Sequence, residues 1–337
     1  MMLYKGHIII LLLLGSIFLL SPKECSSSLL GLDGSNHSKS SSDERTADTT
    51  ILSSYTDVAK YEDGFMAVGS DGRIDRISKS GEIIKRLNFS GIRFTSVLSV
   101  DAQMFVAGDN GNMLVFSGKG EFLKIDCGTD KNINSLTWFD NKIIAVTSQS
   151  EILIGTDSGK FKSMQLNLKG NIVSLSANTT DCYGVTDKGE IIHSIDGMNW
   201  SVFDFNKTYE GFYKASRFTK VLVTENQITI IGIQNDGLPV LFYSSGGTVW
   251  TQRNLVYTDK KGVSSVLTDI PNDIYYDVTQ DQFILICNHG KAMTIPNCSH
   301  CNKLFELSSE NLLGIAGDEN SLIVVGENDY IKLTYTK

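Results

Sequence analysis

Three groups of residues in this 337-residue chain have types and spacings that could do chemistry. The first is a set of acids, Asp71, Asp109, Asp187 and Asp236, recurring in turn sequences (SDG, DNG, DKG, NDG). Aspartate in such turns bonds its own backbone, so duplication of one turn accounts for the recurrence. A ring of acids on one face would also suit a cation or a sugar, and a glycosidase needs two carboxylates about 5–10 Å apart. The second group is Cys298-Ser-His-Cys301, a lone CxxC. Zinc takes four ligands and no second pair exists, so no metal site is expected, and a local disulfide fits an exported chain better.

The third group lies in two insertions. Residues 206–218 carry Tyr209, Phe212, Tyr213, Lys214 and Arg217, and residues 256–273 carry Tyr257, Lys260 and Lys261. Tyrosine and arginine join large contact area to hydrogen bonding and dominate binding hot spots. These eight residues form the candidate binding site. The competing reading is that the aromatics pin their loop to the body of the protein. No catalytic residue and no cofactor is implied.

The elements that must position these residues repeat. Turn landmarks fall at Gly72, Gly111, Ser150, Gly189, Gly237, Gly290 and Asp329, with steps of 39, 39, 39, 48, 53 and 39. The apolar residues after the following turn, Ile83, Phe122, Phe161, Trp200 and Trp250, step by 39, 39, 39 and 50. Seven strand-like runs open at Tyr55, Phe94, Ile133, Ile172, Phe218, Ile274 and Leu312. A 39-residue unit holds about four strands with their turns, and such an all-strand repeat marks a propeller blade. The expected fold is all-β: a seven-bladed β-propeller at 49–337, its last blade completed by the N-terminal strand 49–54 (TTILSS). The insertions depart from the repeat in the connections flanking the fifth unit, where such arrays often place binding loops.

Upstream, residues 1–27 read as a signal peptide, with one early lysine and an apolar run at 8–20 too short to span a bilayer. Acylation at Cys25 and an uncleaved anchor are the alternatives, and either is the one route to a membrane. Residues 28–48 are Ser-rich and polar, a flexible tether. The chain is expected in a secreted, periplasmic or cell-envelope location. A net charge of −8, with dispersed lysines and arginines, argues against nucleic acid. Cys182 and Cys287 fall on inner strands and read as buried small hydrophobes. Sequons occur at Asn36, Asn88, Asn178, Asn199, Asn206 and Asn297.

Ser194-Ile-Asp196-Gly197-Met-Asn-Trp200 resembles the Asp-box of sialidase-type propellers, and 244–250 is a decayed copy. The resemblance implies a structural turn between the two outer strands, in which Asp196 ties the backbone and Trp200 packs between sheets. The Arg-Ile-Pro motif of sialidases is absent. The repeat also looks like that of exported propellers grouped with photosystem II assembly factors, which act as binding platforms. The expected function is a non-catalytic platform for a protein or glycan. The alternative is a carbohydrate-active hydrolase or lyase using acids on the loop face.

Overall fold

The computed structural model describes residues 54–118, 121–155, 160–259, 261–296, 302–328 and 330–334. The expected signal peptide and tether, Lys260 and the Cys298–Cys301 motif lie outside them, as do Asn36 and Asn297.

The described strands form antiparallel meanders. Six sheets have four strands, each running from an inner to an outer strand, at 55–88, 94–125, 133–165, 172–204, 216–253 and 271–306. Another sheet has three: Leu312–Gly317, Ser321–Gly326 and Tyr330–Thr334. A hairpin, Val256–Thr258 with Ser264–Val266, forms a separate two-stranded sheet.

This corrects the expected seven-bladed fold: among the described residues the protein is an all-β propeller with six four-stranded blades. The landmarks that suggested seven mark the inner and middle strands of a unit, and a three-stranded sheet displays those as fully as a complete blade. The expected closure by 49–54 is corrected with it. Residues 49–53 lie outside the described residues. Ser54 bridges Glu327, at the end of the sheet's middle strand, and not the strand Tyr330–Thr334. The inner strand of blade six also starts earlier than expected, at Pro271 and not Ile274.

The core lies between successive sheets. Tyr61, Met66, Val68 and Ile74 of blade one meet Phe94, Val97, Met104 and Val106 of blade two, and comparable clusters follow at each junction to blade six. The three-stranded sheet fills the gap between blades six and one. Its Leu322 and Val324 meet Ile284 and Ile286, and its Ile323 and Val325 meet Phe65 and Ala67. Strands second from the axis, such as Gln282–Cys287, are buried on both faces, which explains their unbroken apolar runs.

Apolar packing is non-directional, so something else must fix how one blade sits against the next. Each inner strand carries a bulge between the first and third residues of an equivalent triplet, which opens the strand in every sheet except that of blade five, where it starts at Phe218, two residues in. The third residues are Asp57, Ser96, Ser135, Ser174, Lys220, Asp273 and Gly314. Most accept a hydrogen bond from the next inner strand. Asp57 Oδ2 accepts from the Val97 N–H (2.9 Å), Ser96 Oγ from Leu136 (3.2 Å), Ser135 Oγ from Leu175 (3.1 Å), Ser174 Oγ from Val221 (3.2 Å) and Asp273 Oδ2 from Ile315 (3.2 Å). Second residues donate back: Thr56 Oγ1 to the Phe94 carbonyl (2.6 Å), Asn134 Nδ2 to Ile172 (2.8 Å) and Asn272 Nδ2 to Leu312 (2.8 Å). At Gly314 the space is tight: a Cβ would lie 3.1 Å from Asp57 Cα.

Candidate functional site

The first insertion begins where blade four ends. Asp204 caps a one-turn helix, Phe205–Thr208, by accepting from the Lys207 N–H (3.1 Å). Phe205 is buried in an aromatic cluster with Phe218, Phe242 and Trp250 between blades four and five. Asn206 is the tie: its amide donates to the carbonyls of Lys188 (3.0 Å) and Ser216 (2.8 Å), and its Oδ1 accepts from the Ser216 N–H (2.9 Å).

Tyr209 and Tyr213 are half-buried against the same cluster. The Tyr213 hydroxyl donates to the Trp250 carbonyl (3.0 Å), and the Tyr209 hydroxyl accepts from the Trp250 N–H (3.0 Å). These two rings therefore anchor the loop. Phe212, between them, is 84% exposed. Lys214 pairs with Asp236 in the neighbouring turn. Arg217 is exposed on the inner strand of blade five. Five of the eight candidate residues thus share one braced loop and the strand that follows it, with Phe212 projecting from the loop.

The second insertion goes elsewhere. Leu255 and Leu267 bury its base in the blade-six core, joined by the Leu267 N–H to Leu255 carbonyl bond (2.8 Å). Its hairpin lies along the outer strand of blade six, where Asn302 Nδ2 donates to the Val256 carbonyl (2.8 Å). Arg253 Nη2 reaches the Pro296 carbonyl nearby (2.7 Å). Tyr257 packs against the blade-six core, and Lys261 is exposed in the hairpin turn. Among the described residues no hydrogen bond, ion pair or ring contact joins Tyr257 or Lys261 to the first insertion.

The turn 194–200 is held by Asp196. Its Oδ1 accepts from the N–H groups of Asn199 (2.7 Å) and Met198 (2.8 Å), and these bonds, the Asn199 one first, hold its carboxyl well below the usual range. Ser194 Oγ accepts from the Gly197 N–H (2.9 Å), and Trp200 packs between blades three and four. Two of the four acids at the first turns are used similarly. Asp187 accepts from the Asn171 N–H (2.9 Å) and Asp236 from the Leu238 N–H (3.2 Å).

A charge cluster on the axis went unnoticed in the sequence. Lys220 Nζ lies 3.0 Å from Asp273 Oδ1. Asp57 belongs to blade one, no neighbour of blade five, yet the Lys220 charge acts on it, so these groups face one another across the ring. Burial pushes the Asp57 carboxyl up; Lys220 opposes this, Asp273 adds to it, and the outcome is about 6. Both Asp57 oxygens accept backbone N–H groups, from Val58 (2.9 Å) and Val97 (2.9 Å), and so do both oxygens of Asp273, from Ile274 (2.9 Å) and Ile315 (3.2 Å). They act as latches between strands. Aligning the inner strands (YTD, FTS, INS, IVS, FTK, PND, LLG) would have exposed the cluster.

Among the described residues no three His, Cys, Asp or Glu side chains converge as metal ligands. Cys182 and Cys287 are buried and unbridged, as expected, and so is Cys127. Among those residues no helix is long and apolar enough to cross a membrane.

No family model matches the chain and no curated protein matches it. Solved structures do. One is YCF48 bound to D1 peptide, at 13% identity and a TM-score of 0.65, with 85% of this chain and 93% of that chain covered. Another is YCF48 from Cyanidioschyzon merolae, at 15% identity and 0.63, covering 84% and 96%. A third is the WD40 β-propeller domain of Doa1, at 12% and 0.63, covering 85% and 93%. At these identities the likeness shows the fold alone, and the fold is a β-propeller.

Proposed function

We propose that this chain is a non-catalytic binding platform that captures a protein segment on the loop between blades four and five. The observation that carries this reading is Phe212, an exposed ring on a loop whose two adjacent tyrosines are hydrogen-bonded to Trp250. A braced loop loses little entropy when a ligand covers it, and that favours affinity. Arg217, exposed on the strand that follows the loop, suits a segment with an acidic residue next to an apolar one. A propeller of similar fold is bound to a peptide in YCF48, which supports a protein ligand. We read 194–200 as an Asp-box turn with a structural role, and 1–27 as the signal that exports the platform.

Full-length wild-type chain and the Phe212→Ala and Arg217→Ala variants, used as bait against the secreted or envelope fraction of the native host, test the reading. Loss of a wild-type protein partner in both variants, with melting temperatures unchanged, is the expected result. A partner retained by both variants, or release of the wild-type partner by glycan alone, would overturn it.

A further inference from the structure

A second site lies elsewhere in the ring. In two of the clefts between successive blades, the tryptophan after the outer turn acts as a plug. Trp200 fills the cleft between blades three and four, and Trp250 the one between four and five. Phe122 stands at the equivalent position in blade two, stacked on Phe116 with centroids 5.0 Å apart. Here the smaller ring leaves a cavity of about 280 Å³ between blades one and two. Met66, Ile74, Leu87, Phe116 and Phe122 make it apolar, with Arg76 and Lys85 at its edge.

The polar groups around it differ in availability. Arg76 Nη2 is held by Glu62 (2.6 Å). Lys85, on the exposed outer strand of blade one, has no ion-pair partner among the described residues. The ring of Tyr61 meets Phe116 edge-on, and its hydroxyl lies beside Gly118. Pockets for drug-sized ligands run about 300–1,000 Å³, so this one takes a single ring with a short tail. Aromatic faces and a thioether favour a ring over an alkyl chain, and Lys85, without an ion-pair partner among the described residues, favours an anion.

We propose that the cleft between blades one and two binds an arylalkanoic acid, with its ring against Phe116, Phe122 and Met66 and its carboxylate on Lys85. This is independent of the loop at blade five. The test is titration of the full-length chain with 3-phenylpropionate by saturation-transfer NMR and calorimetry, with 3-phenylpropanol and 2-phenylethylamine as neutral and cationic comparisons. The acid should bind saturably, ahead of the alcohol and well ahead of the amine. Phe122→Trp should weaken the acid at least about tenfold, since it installs the plug used in two other clefts, and should leave the melting temperature unchanged or raised. Lys85→Gln, at an exposed position, should weaken the acid about fivefold and leave the alcohol unchanged. Absence of saturable binding, an amine that binds as tightly as the acid, or affinity unaffected by Lys85→Gln would overturn the proposal.

Discussion

The axial Asp57 offers a direct test of how the ring is latched. Three other inner strands place serine at its position, so Asp57→Ser keeps an acceptor for the Val97 N–H while removing the charge. The Asp57 carboxyl rises from 3.8 to about 6 on folding, chiefly through burial. The folded state therefore holds this proton more tightly than the unfolded chain. Stability from this group is fully present below about pH 4 and is lost as pH rises through about 6. At about 1.4 kcal/mol for each tenfold change in proton affinity, the loss comes to roughly 3 kcal/mol by neutral pH. Urea unfolding of both proteins from pH 4 to pH 8 measures this. The stability of Asp57→Ser relative to wild type should climb by up to about 3 kcal/mol over that range, most of it between pH 4 and 6.5. A difference that stays flat, or that falls with pH, would refute the placement of Asp57 opposite Asp273 in a desolvated axis.

Other substitutions follow from the bonds around blades four and five. Asn206→Ala strands two carbonyls and one N–H, and should cost about 2–4 kcal/mol in chemical denaturation. Tyr213→Phe removes one hydrogen bond to Trp250 and should cost about 1 kcal/mol, whereas Phe212→Ala, on an exposed ring, should stay within about 0.5 kcal/mol. Gly72 has φ +68°, and a Cβ there would lie 1.8 Å from the Phe89 carbonyl oxygen. Gly72→Ala should therefore lower the thermal midpoint of blade one more than any loop change, visible as lost amide protection at 64–88.

The repeat was legible because its turns need particular residues. Glycine or a residue tolerant of positive φ must follow each middle strand, and a large apolar residue, aromatic at four of the five landmarks, follows the outer turn, so spacing alone revealed blades. The three strands of the last unit were legible, but not that they stand as a sheet of three, since the turns and hydrophobic runs that signal a blade are shared by such a sheet. Tyr209 and Tyr213 looked like Phe212 in sequence. Only the position of Trp250, 41 and 37 residues away, separates anchors from the exposed ring. Tyr257 was grouped with them because both insertions flank one blade, yet Leu255 and Leu267 turn its hairpin onto blade six. The axial charges were obscured by the opposite problem: each is one residue in seven equivalent positions, and its meaning appears when the ring brings blades one, five and six face to face.

The central claim is that the braced loop at Phe212 is where this propeller meets a protein. Site-specific photo-crosslinking tests it most directly, using full-length chain with Phe212→benzoylphenylalanine in its native host and Ile84→benzoylphenylalanine, another exposed apolar site, for comparison. A light-dependent adduct with one protein at position 212, and none of that mass at position 84, is the expected result. No adduct at 212, or the same adducts at both positions, would contradict it.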